Sequence, residues 1–125
     1  MAVYTISNPT ALATKLVFDS SADASDDADG DNVTAATTGS IYMVQIDNSK
    51  NTTTAYLKIA DASSATPGST VPGLVFYAAG ATVATYSLPS GHAYASGVSI
   101  WCTTGAATSS GTSPSNAVQV RIMAS

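Results

Sequence analysis

The sequence predicts an all-β protein: an antiparallel β-sandwich, jelly-roll-like in its strand spacing, with an extended N-terminal arm. Three observations predict it. First, good helix formers are scarce: all eight acidic residues are Asp, Lys and Arg together number four, and there is no Glu. Thr, Ser, Val, Gly and Asn, which favour strands and turns, are abundant instead. Second, from about residue 40 apolar and polar residues alternate in short runs separated by turn chemistry, the pattern of half-buried strands. Third, a 125-residue chain suits one domain. It buries roughly 65–70% of its unfolded surface, so it needs neither metal nor disulfide to fold.

The elements follow in order. Residues 3–6 and 15–18 are short strand segments, separated by Pro9, which cannot donate to a ladder. Thr10 could cap a brief helix over residues 10–17. Residues 19–40 hold six of the eight acids with many Ala, Ser and Thr, the composition of an exposed loop. Residues 1–38 are therefore read as an arm, and residues 39–125 as the sandwich. In the strand at 41–47, Tyr42, Val44 and Ile46 share one face and Ile41, Met43 and Gln45 the other. Asn48, Ser49, Lys50 and Asn51 form a turn. In the partner strand at 54–59, Ala55, Leu57 and Ile59 oppose Tyr56 and Lys58, which makes a hairpin. Pro67-Gly68 and Pro72-Gly73 mark a loop over 61–73, followed by a strand at 74–77. At 81–88, Val83 and Thr85 oppose Thr82, Ala84 and Tyr86, and Pro89-Ser90-Gly91 reads as a turn. Val98, Ile100 and Cys102 share a face of the next strand, with Trp101 opposite. A Ser/Thr/Gly/Pro loop over 104–116 precedes a last strand at 117–123, with Val118, Val120 and Ile122 inward.

Charge excludes several functions. The net charge is −4, and Lys15, Lys50, Lys58 and Arg121 are scattered, which cannot neutralise a run of phosphates or hold an anionic membrane. The apolar-rich run 74–84 is too short to span a bilayer. With one cysteine no intrachain disulfide can form, and the alternation predicts Cys102 as a buried thiol. Residues 1–7 lack the basic-then-apolar pattern of a secretory signal, so synthesis and assembly in a cytoplasm are expected. Only 10% of residues are charged and 45% are hydrophobic, which suggests a surface partly covered by other proteins.

Each candidate chemical site lacks a component. Asp27, Asp29 and Asp31 alternate as in a calcium loop, but an EF-hand counted from Asp27 would place Asn32 where Gly belongs and Thr38 in place of the bidentate Glu. A solvated acidic loop is the simpler reading. His92 with Ser90 and an Asp could suggest a hydrolytic triad, but no G-x-S-x-G elbow occurs. One His and one Cys cannot hold zinc, Asp47 and Asp61 do not make a glycosidase pair, and no phosphate loop is present. No cofactor and no enzymatic activity are expected. Asn32-Val33-Thr34 and Asn51-Thr52-Thr53 match the glycosylation pattern. The aromatic residues point to contacts instead. Trp101, opposite the apolar side of its strand, is predicted to face outward, and Tyr4, Phe18, Tyr56, Tyr86 and Trp101 are the partner-contact candidates.

From residue 39 the chain resembles a known type. Gly39-Ser40-Ile41-Tyr42, Ile46-Asp47-Asn48-Ser49 and Ala55-Tyr56-Leu57-Lys58 resemble segments of small β-sandwich structural proteins of tailed bacteriophages. Pro72-Gly73-Leu74-Val75, Leu88-Pro89-Ser90-Gly91 and Ser96-Gly97-Val98-Ser99 fit the same outline. Such proteins are similar to capsid decoration (cement) proteins, including those of cyanophages. The resemblance implies a virion protein on the capsid exterior, a homotrimer that bridges major capsid protein subunits after assembly in the host cytoplasm. A glycan- or host-binding module of a phage tail or fibre is the alternative.

Overall fold

The computed structural model describes residues 15–22 as backbone and residues 38–125 in full. Seven strands make up the described fold: β1 (Lys15–Ala22), β2 (Gly39–Asp47), β3 (Ala55–Ala60), β4 (Leu74–Ala78), β5 (Val83–Tyr94), β6 (Ser99–Thr103) and β7 (Val118–Ala124). A four-stranded sheet in the order β1-β7-β2-β5 faces a three-stranded sheet in the order β4-β3-β6. Every pairing is antiparallel. The predicted β-sandwich is the fold observed.

The alternation explains the core. Ala55, Leu57 and Ile59 of β3 and Ile100 and Cys102 of β6 project from one sheet, with Val98 just before β6. Val44 and Ile46 of β2 and Val118, Val120, Ile122 and Ala124 of β7 project from the other. All are buried, and Leu74, Phe76, Ala84, Tyr86 and Leu88 pack around them from the edge strands β4 and β5. Burial of this apolar layer is the main stabilising term.

The structure corrects the sequence reading at five places. The strands at 41–47 and 54–59 do not form the predicted hairpin: β2 pairs with β5 and β7 while β3 pairs with β4 and β6, so the turn at Asn48–Asn51 crosses from one sheet to the other. β1 pairs along β7 from Lys15↔Ala124 to Ala22↔Val118, so residues 15–22 belong to the sandwich sheet, which begins well before residue 39. The same strand takes up residues 15–17, which the capping argument assigned to a helix. β5 runs unbroken through Pro89-Ser90-Gly91; those residues form a bulge, because Ile41 pairs with His92 and Met43 with Ser87. Proline is tolerated there because β5 is an edge strand and the ladder is already interrupted. Gly91 has φ +75°, and a Cβ on it would lie 2.8 Å from the Tyr42 ring. Finally, β2 carries one extra residue against β7 between Ile41 and Met43. That bulge shifts the alternation, so Ile41 is buried with Val44 and Ile46 while Tyr42 is only half-buried.

One end of the sandwich is closed by a buried amide network. Asn48 and Asn51 are almost fully buried. Asn48 Nδ2 faces the carbonyl oxygens of Thr53 (2.9 Å), Ala78 (3.0 Å) and Ala79 (3.2 Å). Asn51 Nδ2 donates to Asn48 Oδ1 (2.9 Å) and to the Asn116 carbonyl (3.0 Å), and Asn51 Oδ1 accepts the Asn116 N–H (2.8 Å). Three chain segments distant in sequence are thus joined at the β2–β3 turn. Asn51, one of the two glycosylation matches, spends its amide inside this network and offers no attachment point. Asn32 lies outside the described residues.

Candidate interaction surface

Trp101 is not on the surface. It is fully buried, which corrects its assignment as an outward contact. The alternation does place it on the outer side of the three-stranded sheet, opposite Lys58 of β3. Two loops then cover that side. Ala62 and Ala65 of the 61–73 loop pack with Ala60 against the indole. From the 104–116 loop, the carbonyls of Ala107 (2.6 Å) and Ser110 (3.4 Å) accept from Lys58 Nζ. The loops meet at Gly68, where a Cβ would lie 3.6 Å from the Ser109 carbonyl oxygen. Among the described residues the indole N–H has no acceptor, an unmade bond of the kind that costs about 1–3 kcal/mol.

Lys58 is equally buried. Desolvation pushes its pKa below the ordinary lysine value, because removal from water disfavours the charged form. Between the folded and unfolded values the unfolded chain binds more protons, so this group makes stability rise with pH in a window below 10.5.

Asp61 ties the first loop to the β5–β6 connection. Its carboxylate accepts the N–H groups of Ser96 (2.7 Å) and Ala95 (3.0 Å). These bonds hold its pKa below the ordinary 3.8. Asp47 is lowered too, chiefly by the Ser49 hydroxyl and N–H. For both groups the folded value lies below the unfolded one. Their stabilisation is present above the unfolded value and is lost as pH falls through the folded value. The urea midpoint of the wild type should therefore decline as pH is lowered past 3.8. Asp61→Asn should be less stable at neutral pH and show a shallower acid decline. An unchanged slope would mean that the Asp61 contacts do not persist in solution.

The other predicted site residues fall out differently. His92 stands exposed on β5, while Asp61 turns its carboxylate to main-chain N–H groups. Tyr86 is half-buried; its ring packs on Phe76 at 4.9 Å between centroids, and its hydroxyl donates to the Tyr77 carbonyl. Tyr56 is half-buried beside Tyr77, with ring centroids 6.4 Å apart. Phe18 lies in β1 opposite Arg121. Tyr4, Asp27, Asp29 and Asp31 lie outside the described residues. Among the described residues no three His, Cys, Asp or Glu side chains gather as a metal site, and no helix is long and apolar enough to cross a membrane.

Several large apolar side chains remain exposed among the described residues. Val75 and Tyr77 of β4, Val83 of β5 and Val71 in the preceding loop are exposed by 44%, 57%, 52% and 74%. β4 and β5 are edge strands of the two sheets, and the Tyr86–Tyr77 hydrogen bond brings them to the same side of the sandwich. Between Asp61 and Arg121 the chain contains no Asp, Glu, Lys or Arg. The sequence reading missed this surface because it weighed aromatic residues singly. The long uncharged run was the signal that could have found it. Comparisons with protein-family models, with characterised proteins and with solved structures found no match.

Proposed function

We propose that this protein is a virion structural protein, a capsid decoration or cement protein that binds the outer surface of the shell and stabilises contacts between major capsid subunits. The observation that carries the proposal is the apolar patch along β4 and β5, with Val71, Val75, Tyr77 and Val83 exposed. An exposed apolar patch suits a contact that excludes water. The scaffold behind it fits a load-bearing role: loops lock the outer face of one sheet, and an amide network closes one end. Contacts would be made both with the shell and among copies of the protein, and the family resemblance implies a trimer.

A second reading rests on the Tyr56–Tyr77 pair, since tyrosine rings suit the apolar faces of sugars. A glycan-binding module of a tail or fibre would use them, and the buried Trp101 would take no part. One experiment separates the readings. Purified particles labelled with an antibody to this protein should carry label over the whole shell. Label confined to the tail would replace the cement reading with the glycan-binding one. Absence from particles would overturn both.

A further inference from the structure

Among the described residues no strand pairs with the outer edge of β5, and that edge lacks the usual protection. Open edges are normally blunted by charged residues, proline or an early bulge. β1, at the opposite edge of the same sheet, carries Lys15 and Asp19. Residues 83–87 of β5, Val-Ala-Thr-Tyr-Ser, contain neither charge nor proline, and the bulge with Pro89 comes only afterwards. The Asn48 N–H donates to the Thr82 carbonyl at 2.9 Å, so Thr82 turns its main-chain groups toward β2. Antiparallel pairing alternates. Ala84 and Tyr86 therefore also pair with β2, and Val83, Thr85 and Ser87 direct their N–H and C=O groups to the free edge. Their side chains are exposed as well.

We propose that residues 83–87 of β5 pair antiparallel with the same residues of a second copy, about a twofold axis at Thr85. A twofold contact is self-complementary: Thr85 meets Thr85, and Val83 meets Ser87. Facing Thr side chains are a favourable cross-strand pair. The second copy is the occupant because the edge carries no charge. Two identical uncharged strands approach without the repulsion that like charges at the centre of such an axis would produce, although the whole chain carries −4. Val83 and the neighbouring Tyr77 and Val75 of β4, all exposed, supply the apolar flank. Pro89 has no N–H and stops the ladder, which confines pairing to one short segment. The inference does not depend on the capsid reading: it concerns the purified protein alone, and its twofold contact stands in place of the trimer that the family resemblance implies.

The test is sedimentation equilibrium over a concentration series, with hydrogen exchange read at Val83, Thr85 and Ser87. The expected result is a dimer in which these amides become protected as concentration rises. Thr85→Lys and Thr85→Asp each place like charges face to face at the axis and should weaken dimerisation roughly a hundredfold. Thr85 is exposed, so both variants should keep the wild-type circular dichroism. Mixing the two variants should restore the dimer, a rescue that misfolded proteins could not give. A monomer at all concentrations would overturn the proposal. So would a trimer whose β5 amides exchange freely, or protection independent of concentration, which would assign the edge to another part of the same chain.

Discussion

Trp101→Ala should lower the unfolding free energy by about 3–5 kcal/mol, the range for truncating a large buried aromatic residue. The indole is fully buried between β6 and the 61–73 loop. Its removal leaves a cavity that Ala60, Ala62 and Ala65 are too small to fill. Trp101→Phe should cost much less, about 1–2 kcal/mol, because among the described residues the indole N–H has no hydrogen bond to lose. Urea titration followed by circular dichroism measures both. Trp101 is the chain's one tryptophan, so wild-type fluorescence should also move from an apolar to an aqueous emission on unfolding. A Trp101→Ala variant as stable as wild type would restore the surface role that the alternation suggested.

Asn48→Ala should cost about 3–4 kcal/mol. The side chain bridges the Thr53, Ala78 and Ala79 carbonyls and accepts from Asn51. Truncation would strand several buried polar groups, each worth about 1–3 kcal/mol, and partial relaxation recovers some of the loss. Asn48→Asp should be at least as damaging, because a carboxylate oxygen would replace the amide nitrogen that faces three carbonyl oxygens. Asn51→Ala acts in the same network, so the double variant should lose less than the sum of the two singles. Strict additivity in a double-mutant cycle would show that the two amides act separately. A loss below about 1 kcal/mol for Asn48→Ala would place the closure of this end elsewhere.

These two expectations sit where the sequence was least legible. The polar turn Asn48-Ser49-Lys50-Asn51 was correctly read as a turn, but local chemistry gives an exposed turn and a buried network the same letters. Burial came from Ala78, Ala79 and Asn116, which lie distant in sequence. The exposed apolar patch was hidden for a similar reason. Val75 and Val83 resemble core residues in any periodicity count, and only the strand order shows that β4 and β5 are edges.

The all-β class, the inner faces of β3, β6 and β7, and a buried Cys102 were determined by the sequence alone. A two-residue period needs no tertiary information, and apolar residues on one face must be buried together. Tertiary structure decided what covers the opposite face. Alternation assigns Trp101 and Lys58 to the outer side of their sheet, but whether water or a loop lies beyond them depends on contacts across many residues. It also decided where the pattern slips, since the bulges at Tyr42 and Pro89 are defined only against their partner strands. The pairing of β1 with β7 joins residues 15–22 to residues 118–124 in one sheet. No local signal could have announced it, because the partner lies nearly the whole sequence away.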